Sequence, residues 1–169
     1  IIDKSYFRLD LENSSDIKNS CKNINTIFHL AALDFAESEK NYQKSRKINF
    51  MATKNLYQAA LDCGVNNFIY FSTAHVYGKN LINHVTEETI PIPVSNYAKT
   101  HYMSESYLLN RLSKDKVNII IFRLSNIIGK PGSINKDKWK YVANDLCFQA
   151  LKNKEIILKT DGSQKRDFY

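Results

Sequence analysis

The stretch NFIYFSTAHVYG, Asn67–Gly78, decides the fold. Its first half is apolar almost throughout, without the polar alternation of a strand that shows one face to water, so NFIYFS reads as a strand covered on both faces. The second half turns to small and polar residues and stops at Gly78, which places a strand end and a loop there. Strands covered on both faces belong to parallel sheets flanked by helices.

The residues upstream agree. Ala52, Leu56, Ala59, Ala60 and Cys63 recur at three- and four-residue steps, one apolar stripe of a helix, and Gly64 follows as a stop. Short β-type runs (Tyr6–Leu9, Thr26–Ala31, Asn67–Ser72, Val117–Leu124, Glu155–Leu158) alternate with helical patterns. These are Ser14–Lys22, a long segment ending at Cys63, Asn96–Leu112 and Lys138–Lys152. Such alternation predicts βαβ units, hence an α/β fold with a parallel sheet. In these sheets ligands meet the carboxyl ends of the strands, so the places to inspect are His29–Leu33, Thr73–Gly78 and Ser125–Gly129.

Composition narrows the classes. With 169 residues, 43% hydrophobic and 24% charged, the chain has the make-up of a soluble globular protein. The apolar runs Ile27–Leu33 and Ile119–Phe122 fall far short of the ~20 residues that span a bilayer, and no signal-peptide pattern precedes them, so we expect a cytoplasmic protein without a membrane partner. Cys21, Cys63 and Cys147 lie far apart with no nearby histidines at metal-ligand spacing; we expect reduced packing residues and no metal. The net charge of +7 comes from scattered lysines with no groove-reading motif, so no nucleic-acid partner is expected.

Six strings in order carry a resemblance: FHLAA (Phe28–Ala32), NFMATKNL (Asn49–Leu56), STAHVYG (Ser72–Gly78), NYAKTHYMSE (Asn96–Glu105), FRLSNIIG (Phe122–Gly129) and DGSQKRDFY (Asp161–Tyr169). Together they resemble the NAD-dependent epimerase/dehydratase family of extended short-chain dehydrogenases, which act mostly on nucleotide sugars. The resemblance implies a Rossmann-type doubly wound parallel sheet over residues 1–130 and the start of a small C-terminal substrate-binding lobe over 131–169. It implies NAD or NADP as cofactor, a nucleotide-sugar substrate and a homodimer. The dimer would pair the helix ending at Cys63 and the helix Asn96–Leu112, whose surface would carry Tyr102, Tyr107 and Leu108. Members open on a glycine-rich turn that cradles the cofactor pyrophosphate; none of the five glycines here forms one, and we expect a fragment of a longer protein.

The resemblance also assigns residues. Asp10 and Leu11 match positions against adenine, although Asp10 taken alone is an ordinary strand-end turn residue. Leu30, Ala31, Ala32, Asn49 and Ser125 match further cofactor contacts. Tyr97 stands where the family has the tyrosinate that takes the proton of a sugar hydroxyl as the hydride leaves. Thr73 stands at the hydroxyl that hydrogen-bonds the reacting oxygen, and Asn126 and Arg166 match residues that hold the substrate diphosphate.

Two histidines depart from the pattern. Where the family has a lysine that bonds the nicotinamide ribose and lowers the tyrosine pKa, this chain has His101, one helical turn from Tyr97. Its imidazole can donate to a ribose hydroxyl. Its ordinary pKa of ~6.5 leaves it mostly neutral at pH 7, and any rate that depends on its charge should fall between about pH 6 and 8. Lys99 cannot substitute, because two residues turn roughly 200° around a helix. Ala74 and His75 replace the Asp-Glu pair with which dehydratases expel a hydroxyl, which argues against dehydration, while His75 could itself move a proton. His29 reads as a satisfied core histidine and His84 as a loop residue. The expectation is therefore an NAD(P)-dependent nucleotide-sugar epimerase or reductase; the alternative is a non-catalytic dinucleotide-binding sensor that keeps the fold.

Overall fold

The computed structural model describes residues 8–78, 84–129 and 141–163. The chain divides into two compact units, Ile1–Leu124 and Ser125–Tyr169.

In the first unit, helix α1 (Ser14–Ser20) starts where the Asn13 side chain accepts from the backbone N–H groups of Ser15 and Asp16, satisfying two donors that a helix end leaves bare. It drives Ile17 and Cys21 into the core. Strand β1 (Thr26–His29) follows. The expected long helix ending at Cys63 is instead four pieces: α2 (Phe35–Lys40), α3 (Tyr42–Ser45), a π-helical turn (Arg46–Met51) and α4 (Ala52–Asp62). Asn41 makes the break between the first two: its backbone is extended (φ −146°, ψ 94°) and its side chain accepts from Lys44 N. In the π turn the Ala52 N–H reaches back five residues to Lys47 O.

Strand β2 (Asn67–Thr73) runs into a short 3-10 turn (Ala74–Tyr77). Gly78 then adopts φ +90°, and a Cβ there would lie 2.7 Å from Ile92 O, so only glycine fits. Helix α5 (Asn96–Leu109) begins where Ser95 Oγ accepts from Ala98 N, and β3 (Asn118–Leu124) completes the unit.

The strands form one parallel sheet in the order β1-β2-β3, with His29 level with Tyr70 and Tyr70 level with Ile121. One face, with Phe68 and Tyr70, packs on Ile17, Leu56, Tyr57, Ala60 and Leu108 from the helices. The opposite face carries Phe28, Ile120 and Phe122, which are 61%, 46% and 45% exposed. The sequence suggests a strand covered on both faces; within this unit the described helices cover one.

Two expected strands are not seen. Tyr6 and Phe7 lie outside the described residues, and Arg8 and Leu9 are not in a strand. Glu155–Leu158 is irregular and exposed, because an apolar run becomes a strand only where a neighbour takes its backbone groups, and Ile157 N goes instead to the Gln149 side chain. That segment follows α6 (Val142–Asn153) in the second unit, which ends at Lys154 in the left-handed region. All three cysteines are free; Cys21 packs in the core as expected, but Cys147 is exposed. Leu108 is fully buried, so it belongs to the core and not to a docking surface. No helix among the described residues is long and apolar enough to cross a membrane.

Candidate active site

Four expected catalytic residues converge where β2 ends. Thr73, the last residue of β2, is 5% exposed, and its Oγ1 accepts from His75 N at 3.2 Å, which starts the 3-10 turn. That turn presents the exposed His75 ring against Tyr97, centroids 6.1 Å apart. Tyr97 sits in the first turn of α5, where its backbone N–H donates to Glu39 Oε1 at 3.2 Å. His101, one turn on, sets its ring edge-on to Tyr97 at 4.5 Å. Phe35, opening α2, closes the group with ring contacts to both His75 and Tyr97.

His101 lies deeper than a site-facing donor at ordinary exposure would. It is 2% exposed, its Nδ1 lies 2.8 Å from Tyr70 Oη, and burial pushes its pKa down to about 4. The imidazole is therefore neutral throughout the pH 6–8 window in which the sequence alone places its titration. His29 is the satisfied core histidine expected: Nε2 lies 2.8 Å from Thr53 Oγ1, whose own hydrogen goes to Asn49 O, and burial takes its pKa to about 4 as well.

The expected cofactor residues divide by depth. Leu11, Leu30 and Ala31 share the lining of a cavity of about 290 Å³ beside β1. Ala32 is exposed just beyond. Asp10 is exposed and its Oδ1 accepts from Glu12 N, the local turn its residue type favours. Asn49 is 1% exposed and belongs to the π turn; its Oδ1 accepts from Leu33 N at 2.7 Å while Nδ2 donates to Ser45 Oγ and Thr100 Oγ1. It thus fastens the loop after β1 to α5 from behind. Ser125 and Asn126 are half-buried in the second unit, and Arg166 lies outside the described residues. Among the described residues no three His, Cys, Asp or Glu side chains gather to hold a metal.

The sequence reading passes over one constellation. Glu105 is fully buried in α5 and takes Arg123 from β3 through Nε at 3.0 Å and Nη2 at 2.7 Å. The same guanidinium gives Nη1 to Tyr77 Oη at 2.7 Å. A glutamate on a helix face that is otherwise core, with an arginine inside an apolar strand, is the signal that could have found it.

Two buried side-chain polar atoms among the described residues have no hydrogen-bond partner, Ser72 Oγ and His101 Nε2. Both belong to residues where β2 meets α5. Buried polar atoms are almost always paired, so this place suits a ligand that brings its own hydroxyls, as a dinucleotide ribose does.

A parallel sheet with helical crossovers and a phenol, a hydroxyl and imidazoles at its strand ends is an α/β protein of the Rossmann type. The chain belongs to the NAD-dependent epimerase/dehydratase family, whose model matches residues 2–169. It is 32% identical over 172 residues to ADP-L-glycero-D-manno-heptose-6-epimerase of Brachyspira hyodysenteriae, covering 99% of this chain and 52% of that protein. It is 30% identical over 122 residues to D-erythronate dehydrogenase of Haemophilus influenzae, covering 70% and 38%. Among solved structures it is similar to UDP-N-acetylglucosamine 4-epimerase from Methanobrevibacter ruminantium, with TM-score 0.86 and 25% identity over 96% of this chain and 52% of the other. It also resembles UDP-glucuronic acid 4-epimerase from Bacillus cereus, solved with UDP-glucuronic acid and NAD, with TM-score 0.81 and 28% identity over 97% and 51%. The chain spans about half the length of most of these proteins.

Proposed function

We propose that the chain is part of an NAD(P)-dependent nucleotide-sugar epimerase or reductase, with Tyr97 as the acid–base group at the reacting hydroxyl. The observation that carries this reading is the convergence of Tyr97, Thr73, His75 and His101 at the carboxyl end of β2. The backbone at Leu30–Ala32, the Leu11 side chain and His101 Nε2 would hold the dinucleotide, with Asn49 keeping the β1 loop in place. When bound, the nicotinamide supplies hydride transfer at the sugar carbon. Tyr97 takes the hydroxyl proton during oxidation and returns it on reduction. Thr73 Oγ1, already accepting from His75 N, keeps its hydrogen for the reacting oxygen. With Ala74 and His75 in place of an acid pair, dehydration is not the proposed reaction.

The same reading includes a cytoplasmic homodimer built on α4 and α5, for which half-buried Tyr102 and exposed Leu109 are the outward groups. Sedimentation as a monomer at micromolar concentration would count against the dimer.

A second reading, a dinucleotide-binding sensor without turnover, draws on one observation: His101 is uncharged at neutral pH, so the residue in the lysine's place brings no positive charge toward the Tyr97 phenol. The deciding experiment uses the full-length protein. Calorimetry with NAD and NADP tests binding, and a panel of nucleotide sugars read by product stereochemistry tests turnover. Tyr97→Phe should abolish turnover and leave cofactor binding intact. Binding without turnover in the wild type would favour the sensor, and no heat from either cofactor at millimolar concentration would end both readings.

A further inference from the structure

The Tyr70–His101 pair carries a second consequence. Tyr70 stands on β2 level with His29 and Ile121, 2% exposed, with its phenol wholly inside the protein. Its Oη lies 2.8 Å from His101 Nδ1. One of these two atoms carries the shared hydrogen. An imidazole nitrogen is a much stronger base than a phenol oxygen and the phenol is the better acid, which favours the arrangement with the hydrogen on Tyr70, donated to Nδ1. Burial raises the Tyr70 pKa well above the ordinary phenol value, so the phenol keeps its hydrogen at neutral pH.

The imidazole has one remaining hydrogen in its neutral form. With Nδ1 occupied as an acceptor, that hydrogen belongs to Nε2, the nitrogen left buried without a partner. We propose that Tyr70 is a positioning residue: its phenol O–H fixes His101 as the Nε2–H tautomer, so that position 101 works in the site as a hydrogen-bond donor and not as a cation. A lysine needs no such support, because every hydrogen of its ammonium is a donor. A histidine at the same position does, since half of its edge is an acceptor that would repel the lone pairs of an incoming hydroxyl. Tyr70 removes that ambiguity and stiffens the ring that stands 4.5 Å edge-on to Tyr97. The inference rests on the functional reading above only for what Nε2–H finally meets, a ribose hydroxyl of the dinucleotide.

The test is a long-range proton–nitrogen NMR spectrum of the full-length protein labelled with ¹⁵N histidine, recorded at pH 7 without cofactor. The His101 signals are those lost in His101→Asn. The expected result is a protonated Nε2 and a bare, hydrogen-bonded Nδ1, with the Nδ1 resonance moving to that of an unbonded nitrogen, or the two tautomers mixing, in Tyr70→Phe. A proton on Nδ1, an imidazolium at pH 7, or an Nδ1 resonance unmoved by Tyr70→Phe would each overturn the assignment. Should the phenylalanine variant not fold, the wild-type spectrum alone decides which nitrogen holds the hydrogen. In binding measurements Tyr70→Phe should raise the cofactor Kd roughly fivefold, the scale of one weakened hydrogen bond. If the wild type binds no dinucleotide at all, the functional reading fails while the spectrum still settles the role of Tyr70.

Discussion

Arg123 grips the buried Glu105 carboxylate with two of its nitrogens, Nε at 3.0 Å and Nη2 at 2.7 Å, and so ties β3 to α5. A carboxylate out of water is tolerable only while its cation stays. Arg123→Met should therefore cost about 3–5 kcal/mol, and pairing it with Glu105→Leu should recover most of that loss, since a well-packed apolar pair can match a buried ion pair. Chemical denaturation of the two single variants and the double variant gives the answer; simple additivity would show that the pair does not act as a unit.

Acid should weaken the fold through His29 and His101. Both have folded-state pKa values near 4 against about 6.5 in the unfolded chain. The native state refuses a proton that the unfolded state accepts, so stability is flat above about pH 6.5 and falls as pH drops toward 4. The loss at pH 5 is about 2 kcal/mol per histidine. Urea unfolding at pH 7 and pH 5 should show the midpoint fall with an unchanged slope; equal midpoints would contradict the burial of these rings.

Asn49→Ala should free the loop after β1. It removes the acceptor for Leu33 N, a bond of 2.7 Å, and the amide's contacts with the hydroxyls of Ser38, Ser45 and Thr100 at a site 1% exposed, for about 1–3 kcal/mol. Hydrogen exchange should speed up at the Leu33 amide well before it does in β2. Unchanged protection at Leu33 would mean that the loop is held by something else.

Gly78→Ala should disturb the turn after Tyr77. With φ at +90° and Ile92 O at 2.7 Å from the new Cβ, either the turn or the segment around Ile92 must give way, at about 1–3 kcal/mol. Thermal unfolding measures the cost, and an unaltered midpoint would mean that the neighbouring segment yields freely.

Much of the sheet and part of the site are legible in the sequence because both rest on local pattern. The apolar runs around Phe68 and Ile120 became β2 and β3, and the four-residue step from Tyr97 to His101 placed both rings on one face of α5. What was not legible depends on partners distant in the chain. The depth of His101 is set by Tyr70, which in an apolar strand reads as one more hydrophobic residue. The pairing of Glu105 with Arg123 spans 18 residues and two elements. The break at Asn41 is hidden because an asparagine in a polar stretch looks the same whether it caps a helix or decorates one.

The π-helical turn Arg46–Met51 works as a spacer of a single residue. An ordinary helix holds one residue fewer between the same two flanks, so cutting one residue out of the turn would let the chain wind as an α-helix while the flanks keep their phase. Ser45 would keep its place beside Thr100 and Thr53 beside His29, and only side chains inside the turn would be re-aimed, the Asn49 amide that holds Leu33 N among them. The surplus peptide unit thus aims the Asn49 amide without disturbing either flank, and a deletion there should undo the loop beneath the site while sparing the hydrophobic layer below it.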